Sequence, residues 1–433
     1  MKRRVCLAFF VLAVLTVAAC LPLVSCADKE KVEFVPTEYA GSTLYVYNWG
    51  EYISDGSEGS LDVVKRFEET YGITVKYDYF ETNEELYAQL KNGAVYDVCI
   101  PSDYMIERLI AENLLQPLQK DKVSHYDLID PQYLGRHYDP ADAYSIPYAV
   151  GMIGIVYNTR LVDEVLGDPT DDVLYEPEHS WDLLWNEQFE EGQIINFNNP
   201  RDAFGVAMID LGLDVNTESE ADWEAALKHL QRQKTNCIYL MDEVFNKMEN
   251  GSAAVAAYYA GDCITMMNVN PDLAFFYPDE GTNVFVDAMC IPASAQNVGA
   301  AHLFIDFMLD PEIATQNANY ISYASPNLAV IDHEDYDHAE GTPGYEILYV
   351  LPQSYRDDPS RMQEYYNLSE ETLQMMQDKW LKLSIDDTEG VTNYGTIIFL
   401  GLVGAGIVAY VVYYGRKLFL WMRTRRSKKA AVA

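Results

Sequence analysis

Apolar positions along this chain switch repeatedly between a two-residue and a three-to-four-residue repeat. Residues 43–47 alternate and predict a strand. Leu61, Val64 and Phe67 then recur on one face of a helix predicted over 60–71. The same couple returns twice, as a strand at 73–79 with a helix at 83–92, and a strand at 96–101 with a helix at 103–113. Such alternation predicts parallel sheets flanked by helices. A second set follows, with strands at 144–150, 153–158 and 193–197 and helices at 202–213, 221–233 and 242–249. Strands at 253–259 and 284–291 lead into helices at 298–309 and 311–320. The stretch 331–345, rich in His, Asp and Gly, predicts a loop, and a last helix is predicted at 369–383.

The two ends follow different rules. The chain starts Met-Lys-Arg-Arg and continues with an apolar run from Val5 to Val24. A basic start followed by an apolar run is an export signal, not a fold element. Leu23-Val24-Ser25 ahead of Cys26 predicts a lipoprotein leader, 1–26, with Cys26 as the lipidated first residue of the mature chain. An uncleaved N-terminal anchor is the competing reading. Residues 27–41 form a polar linker. Near the other end, 394–415 is uncharged and almost wholly apolar. At roughly 1.5 Å per residue it is long enough to cross a ~30 Å hydrocarbon core. Seven basic residues follow in 416–433, which places that tail in the cytoplasm by the positive-inside rule. Both ends predict a protein of the cell membrane with its middle on the extracytoplasmic face.

Charge sharpens this. Of the 30 Lys and Arg, three lie in the leader and seven in the tail, and neither segment has an acid. The part between carries 20 basic against 67 acidic residues. That balance disfavours nucleic acid and favours cations as partners. About 365 residues are too many for one core, so two domains are expected. Cys99, Cys237, Cys263 and Cys290 show no paired spacing, which argues against zinc; one disulfide is compatible with an oxidising compartment.

The chemistry concentrates at predicted strand ends. The strand at 43–47 runs into Trp49, Glu51 and Tyr52. A carboxylate beside aromatic faces suits an alkylammonium group, which needs both an anion and π surface. Asp287 interrupts an apolar strand, and a buried carboxylate there must be paired, by a ligand or by an internal Arg. Ligands of such sheets bind at the carboxyl ends of strands, and the cleft between two lobes is the natural place. There is no phosphate-binding loop, so an ATPase would be another chain. Nucleophile-elbow and zinc-protease motifs are absent from the sequence as well. His333-Glu-Asp-Tyr-Asp-His338 has metal-ligand residue types without zinc spacing and is expected to be a solvated loop, so no metal and no cofactor are expected.

Five segments in order, Tyr47-Asn-Trp-Gly-Glu-Tyr52, Asn83-Glu-Glu-Leu-Tyr87, Tyr96-Asp-Val-Cys-Ile-Pro-Ser102, Tyr144-Ser-Ile-Pro-Tyr148 and Tyr323-Ala-Ser-Pro-Asn327, resemble the spermidine/putrescine-binding proteins of bacterial ABC importers. The matching order covers roughly residues 43 to 385. The resemblance implies the two-lobed periplasmic-binding-protein fold of type II, an α/β architecture with each lobe a mostly parallel sheet flanked by helices, here with a C-terminal transmembrane helix added. It implies a lobe 1 of 42–149 with 287–330 and a lobe 2 of 150–286 with 331–385.

It also implies a ligand site. Trp49 and Tyr52 would be aromatic walls with Glu51 beside them, and Ser102 and Tyr104 would line the first lobe's rim. Asp202 matches a family carboxylate, while Asn199 stands where spermidine-preferring members carry another acid. Tyr259 falls where the family usually has tryptophan, with Tyr258 as its alternate. Asp262 resembles the putrescine-preferring branch. Phe285 and Asp287 match an aromatic–acid pair, Tyr323 a site tyrosine, and Gln363 a further contact. The implied function is a non-enzymatic receptor that captures putrescine or spermidine and delivers it to an ABC permease with a separate ATPase. The same fold for another cationic or polar solute is the alternative, and an extracytoplasmic hydrolase is a more distant one.

Overall fold

The computed structural model describes residues 32–168, 170 and 173–385. The leader with Cys26, the 394–415 span and the basic tail lie outside the described residues. Among the described residues, no helix is long and apolar enough to cross a membrane.

Among the described residues, ten strands join in one sheet: β1 (Thr43–Trp49), β2 (Thr74–Phe80), β3 (Val98–Cys99), β4 (Ser145–Asn158), β5 (Ile194–Phe197), β6 (Cys237–Leu240), β7 (Val255–Tyr259), β8 (Leu273–Phe276), β9 (Thr282–Cys290) and β10 (Met362–Gln363). The order is β2-β1-β3-β9-β4-β7-β5-β6, with β8 on β4 and β10 on β9. β1 pairs in parallel with β2 and β3, and β5 with β6 and β7. Between these parallel groups run β4 and β9, antiparallel to each other from Ser145↔Cys290 to Met152↔Val284. The far half of β4 pairs with β7 and β8. The result is a two-lobed mixed α/β fold whose lobes share two long crossing strands. The lobes are therefore mostly parallel only away from that crossing.

The alternating faces of β1 explain the packing. Leu44 and Val46 are fully buried on one side, in a core with Phe67, Phe304 and Ile305. Tyr47 and Trp49 face the other side and pack with Phe80, whose ring lies 4.5 Å from that of Trp49. Helices start where the sequence supplies caps. Thr82 Oγ1 accepts from Glu85 N at 3.2 Å before Asn83–Lys91, and Asn199 Oδ1 accepts from Arg201 N at 2.9 Å before Pro200–Asp210.

Three expectations change. The strands expected at 144–150 and 153–158 are one continuous strand, β4, so the lobe boundary placed between 149 and 150 falls inside it. Gly151 and Gly154 look like punctuation, but both leave room for rings, Phe285 and Phe275, packed over the strand. Strands β6 and β8 and the helix Ala260–Val269 were not expected. The helix follows β7 directly, with no turn residue between and no side-chain cap to announce it. The four cysteines are buried free thiols, although Cys99 and Cys290 sit opposite one another on β3 and β9.

Candidate functional site

Four strand-to-helix junctions meet at one place. β1 ends at Trp49, followed by Gly50, Glu51 and Tyr52. β3 leads through Ser102 into Asp103–Ala111, β5 through Asn199 into Pro200–Asp210, and β7 through Tyr259 into Ala260–Val269. Asp103, Asp202 and Asp262 each lie in the first turn of their helix, where the helix dipole favours a negative charge. The junctions and the middle of β9 enclose about 810 Å³ of empty space, open mouth included.

Among the described residues, seven carboxylates line this cavity and no Lys, Arg or His does. Three of them are held by tyrosines. Tyr52 donates to Asp287 Oδ2 at 2.7 Å, Tyr259 to Asp202 Oδ2 at 2.7 Å, and Tyr323 to Asp262 Oδ2 at 3.0 Å. Asn199 Nδ2 donates to the same oxygen of Asp202 at 2.8 Å. The tyrosines pack on one another and on Phe285. Tyr52 meets Tyr323 edge-on at 4.9 Å, and Tyr259 meets Phe285 edge-on at 5.5 Å. Among the described residues, no ion pair reaches Asp202, Asp262 or Asp287. Asp287 is 3% exposed, and its Oδ1 has no hydrogen-bond partner. The internal Arg that would have satisfied it does not. Arg201 turns away instead, onto Val215 O at 2.8 Å, Asn216 Oδ1 at 2.7 Å and the face of Tyr365 at 4.2 Å.

Burial sets the acidities. Asp202 is pushed up to about 6, first by burial and then by the nearby Glu84, against the Tyr259 hydrogen bond that lowers it. Asp287 is pushed up to about 6 by burial, opposed by Ser102 and Tyr52. Asp262 rises to about 7 by burial, with the charges of Asp242, Glu51 and Asp287 adding to it. Asp103 rises to about 8, burial outweighing the backbone N–H groups of Tyr104 and Val286 that it accepts from. Carboxyls raised this far want a counter-cation, and a tetrahedral ammonium supplies both charge and donors.

Of the residues expected at a ligand site, Trp49, Glu51, Tyr52, Ser102, Tyr104, Asp202, Tyr259, Asp262, Phe285, Asp287 and Tyr323 all line this one cavity. Gln363 does not. It lies in β10, accepts from Val215 N at 3.0 Å and pairs alongside Asn283 of β9. Tyr365, two residues on, reaches the cavity in its place. Tyr258 and Tyr259 both line it, although strand alternation admits only one, because Tyr259 sits where β7 gives way to a helix. Asp103, Asp242 and Tyr365 were missed. Asp242 lies two residues past β6 as Glu51 lies two past β1, so the strand-end rule would have found it had β6 been recognised. The stretch expected as a loop at 331–345 is loop only between a helix that ends at Ile331 and one that begins at Pro343; in it His333 Nε2 lies 3.6 Å from Glu312 at the surface, with Asp335 nearby, and His338 is buried.

Two α/β lobes sharing crossing strands around an acidic, aromatic-walled cleft have the architecture of a solute receptor. The chain belongs to the family of bacterial extracellular solute-binding proteins, whose model matches residues 62–343. It is 31% identical over 291 residues to the spermidine/putrescine-binding periplasmic protein of Escherichia coli K12, covering 66% of this chain and 78% of that one. The putrescine-binding periplasmic protein PotF of the same organism is 30% identical over 303 residues, again covering 66% and 78%. Among solved structures, the spermidine/putrescine ABC transporter substrate-binding protein PotD of Streptococcus pneumoniae superposes with a TM-score of 0.62 at 30% identity, over 79% of this chain and 99% of that one.

Proposed function

We propose that this chain is an extracytoplasmic receptor that captures polyamines, putrescine or spermidine, and hands them to an ABC permease served by a separate ATPase. The observation that carries the reading is the interlobe cavity, which among the described residues has seven carboxylates, no basic side chain and walls of tyrosine, tryptophan and phenylalanine. Trp49, Tyr52, Tyr259, Phe285 and Tyr323 sandwich the methylene chain. Asp202 takes one ammonium end, and Asp262 with Asp287 the other. Ser102, Tyr104 and Glu51 complete the rim. The receptor binds and releases its ligand without chemistry.

Magnitudes require both kinds of residue. Burying four methylenes gives about 3 kcal/mol. Micromolar binding needs about 8 kcal/mol net of association costs. The rest comes from the ammonium ends, at roughly 1.5–3 kcal/mol per charge-assisted hydrogen bond. Each end loses its hydration when the lobes close, so an end without a carboxylate would not be tolerated.

Two tethers hold the receptor at its membrane: lipid on Cys26 and a helix at 394–415, with the basic tail in the cytoplasm. Tethering keeps the receptor near its permease and raises the local concentration. Calorimetry with putrescine, spermidine and a neutral sugar tests the reading. Both amines should bind and be recovered unchanged, and the sugar should give no heat. Binding of the sugar alone, or turnover of the amine, would overturn it.

A further inference from the structure

The backbone at Glu51 is held in the left-handed region, at φ 51°. A residue with a side chain is strained there, and such a turn persists only where its surroundings over-determine it. The residues after it show what does so. The carbonyl of Tyr52 accepts from the phenol of Tyr148 at 2.6 Å and from Asn48 Nδ2 at 3.2 Å. Two residues on, Ser54 N donates to Asn317 Oδ1 at 3.0 Å. Asn317 Nδ2 in turn donates to the phenol oxygen of Tyr148 at 2.8 Å. Asn317, in the helix Pro311–Ile321, is buried, as are Asn48 and Ser54. One amide thus holds the loop at 54 with its oxygen and the phenol at 148 with its nitrogen. The single phenol proton of Tyr148 is thereby committed to Tyr52 O.

Tyr148 reaches that loop because β4 is irregular where it passes. The register with β9 runs Pro147↔Ala288 and then Ala149↔Asp287, so Tyr148 is the extra residue of a bulge. A bulge re-aims a side chain. Here the ring meets that of Tyr52 edge-on at 5.5 Å. The bulge also stands beside Asp287, the carboxylate to which the Tyr52 phenol donates. A closed circuit results: Tyr148 fixes the backbone of Tyr52, the phenol of Tyr52 fixes Asp287, and Asp287 pairs with Ala149, the neighbour of Tyr148. Tyr148 and Asn317 stand behind the cavity and not in its lining.

We propose that Tyr148, held by Asn317, is a positioning residue for ligand capture: it sets the loop 50–54 so that the phenol of Tyr52 stays on Asp287. This rests on the polyamine reading above and adds to it a residue that touches no ligand. Without the Tyr148 phenol the strained turn at Glu51 has one support fewer, and the Tyr52 ring is free to drift from the carboxylate. The Tyr52 hydrogen bond opposes the rise in acidity constant that burial forces on Asp287. Losing it leaves that carboxyl protonated to a higher pH and less able to take an ammonium group.

The test is Tyr148→Phe in the full chain in detergent, which keeps the ring and removes the phenol oxygen. Putrescine affinity, read by calorimetry, should fall about tenfold. In the ligand-free protein the Asp287 carboxyl, followed by carbon-13 NMR and assigned with Asp287→Asn, should titrate about half a pH unit or more higher. Asn317→Asp should act in the same direction, because a carboxylate there draws the Tyr148 proton away from Tyr52 O. In a Tyr52→Phe background, Tyr148→Phe should cost no more than about a further twofold in affinity. Thermal unfolding checks that each variant is folded. An affinity loss with the Asp287 titration unmoved, full additivity of the two tyrosine changes, or no effect of Tyr148→Phe at all would overturn the assignment. A wild type that binds neither putrescine nor spermidine defeats the polyamine reading instead, and the ligand-free titration of Asp287 still decides the role of Tyr148.

Discussion

The phenol of Tyr52 donates to Oδ2 of Asp287 at 2.7 Å, while Oδ1 of the same carboxylate is buried with no partner. One oxygen is thus oriented by the protein and the other is left for something that brings its own protons. Tyr52 follows β1 and Asp287 lies in β9, so the pair joins the first lobe to the crossing strands.

Asp287→Asn should therefore cost much of the affinity. Removing one member of a desolvated charge pair loses about 2 kcal/mol or more, roughly thirtyfold in Kd. The ligand-free protein should lose no thermal stability, because the change also removes a buried charge. Calorimetry and thermal unfolding read the two effects separately. A variant that binds diamine as well as the wild type would remove Asp287 from the site.

The raised acidities give a pH signature. Asp202 and Asp287 titrate near about 6 and Asp262 near about 7 in the ligand-free fold, above the ordinary carboxylate value. These groups stabilise the empty protein at low pH, and that contribution is lost as pH rises through about 6 to 7. A bound dication reverses the sign by favouring the ionised forms. The melting-temperature gain from putrescine should therefore grow from pH 5.5 to pH 8. Binding near neutral pH should release protons, seen as a heat that varies with the buffer's ionisation enthalpy.

Gly261→Ala should damage the site without unfolding the protein. A Cβ at 261 would lie 2.3 Å from Cδ2 of Tyr323, too close for the ring to stay in place. The ring must shift, which loosens its hydrogen bond to Asp262. Overpacking of this kind costs about 1–3 kcal/mol of stability, and diamine affinity should fall with it. Retained affinity at unchanged stability would mean that the ring moves freely.

Gln363 and Tyr365 separate two kinds of residue. Gln363→Ala removes bonds to Val215 N and Leu213 O and should cost about 1 kcal/mol of stability with affinity held within about twofold. Tyr365→Ala opens the cavity wall and strips the aromatic face from Arg201, so affinity should drop as well.

Much of this was legible in the sequence because local rules and tertiary structure agreed. The Leu44–Val46 alternation marked β1, and the strand-end rule led from it to Trp49 and Tyr52. Asp287 stood out as a charge in an apolar strand. What stayed hidden depended on distant partners. β6 is four residues long and, among the described residues, pairs only with β5, so nothing local distinguishes it, and Asp242 went with it. The unity of β4 was masked by glycines whose purpose is to admit rings from elsewhere in the chain. Tyr365 lies beyond the last clear motif, and its place depends on β10 joining β9.

The crossing strands carry one more implication. Asp287 sits opposite Ala149, beside the irregular step that leaves Tyr148 without a partner on β9. On the proposed reading, the ligand's charge would bind on the strands that the two lobes share and not at the tip of either arm, so loading would bear directly on their junction.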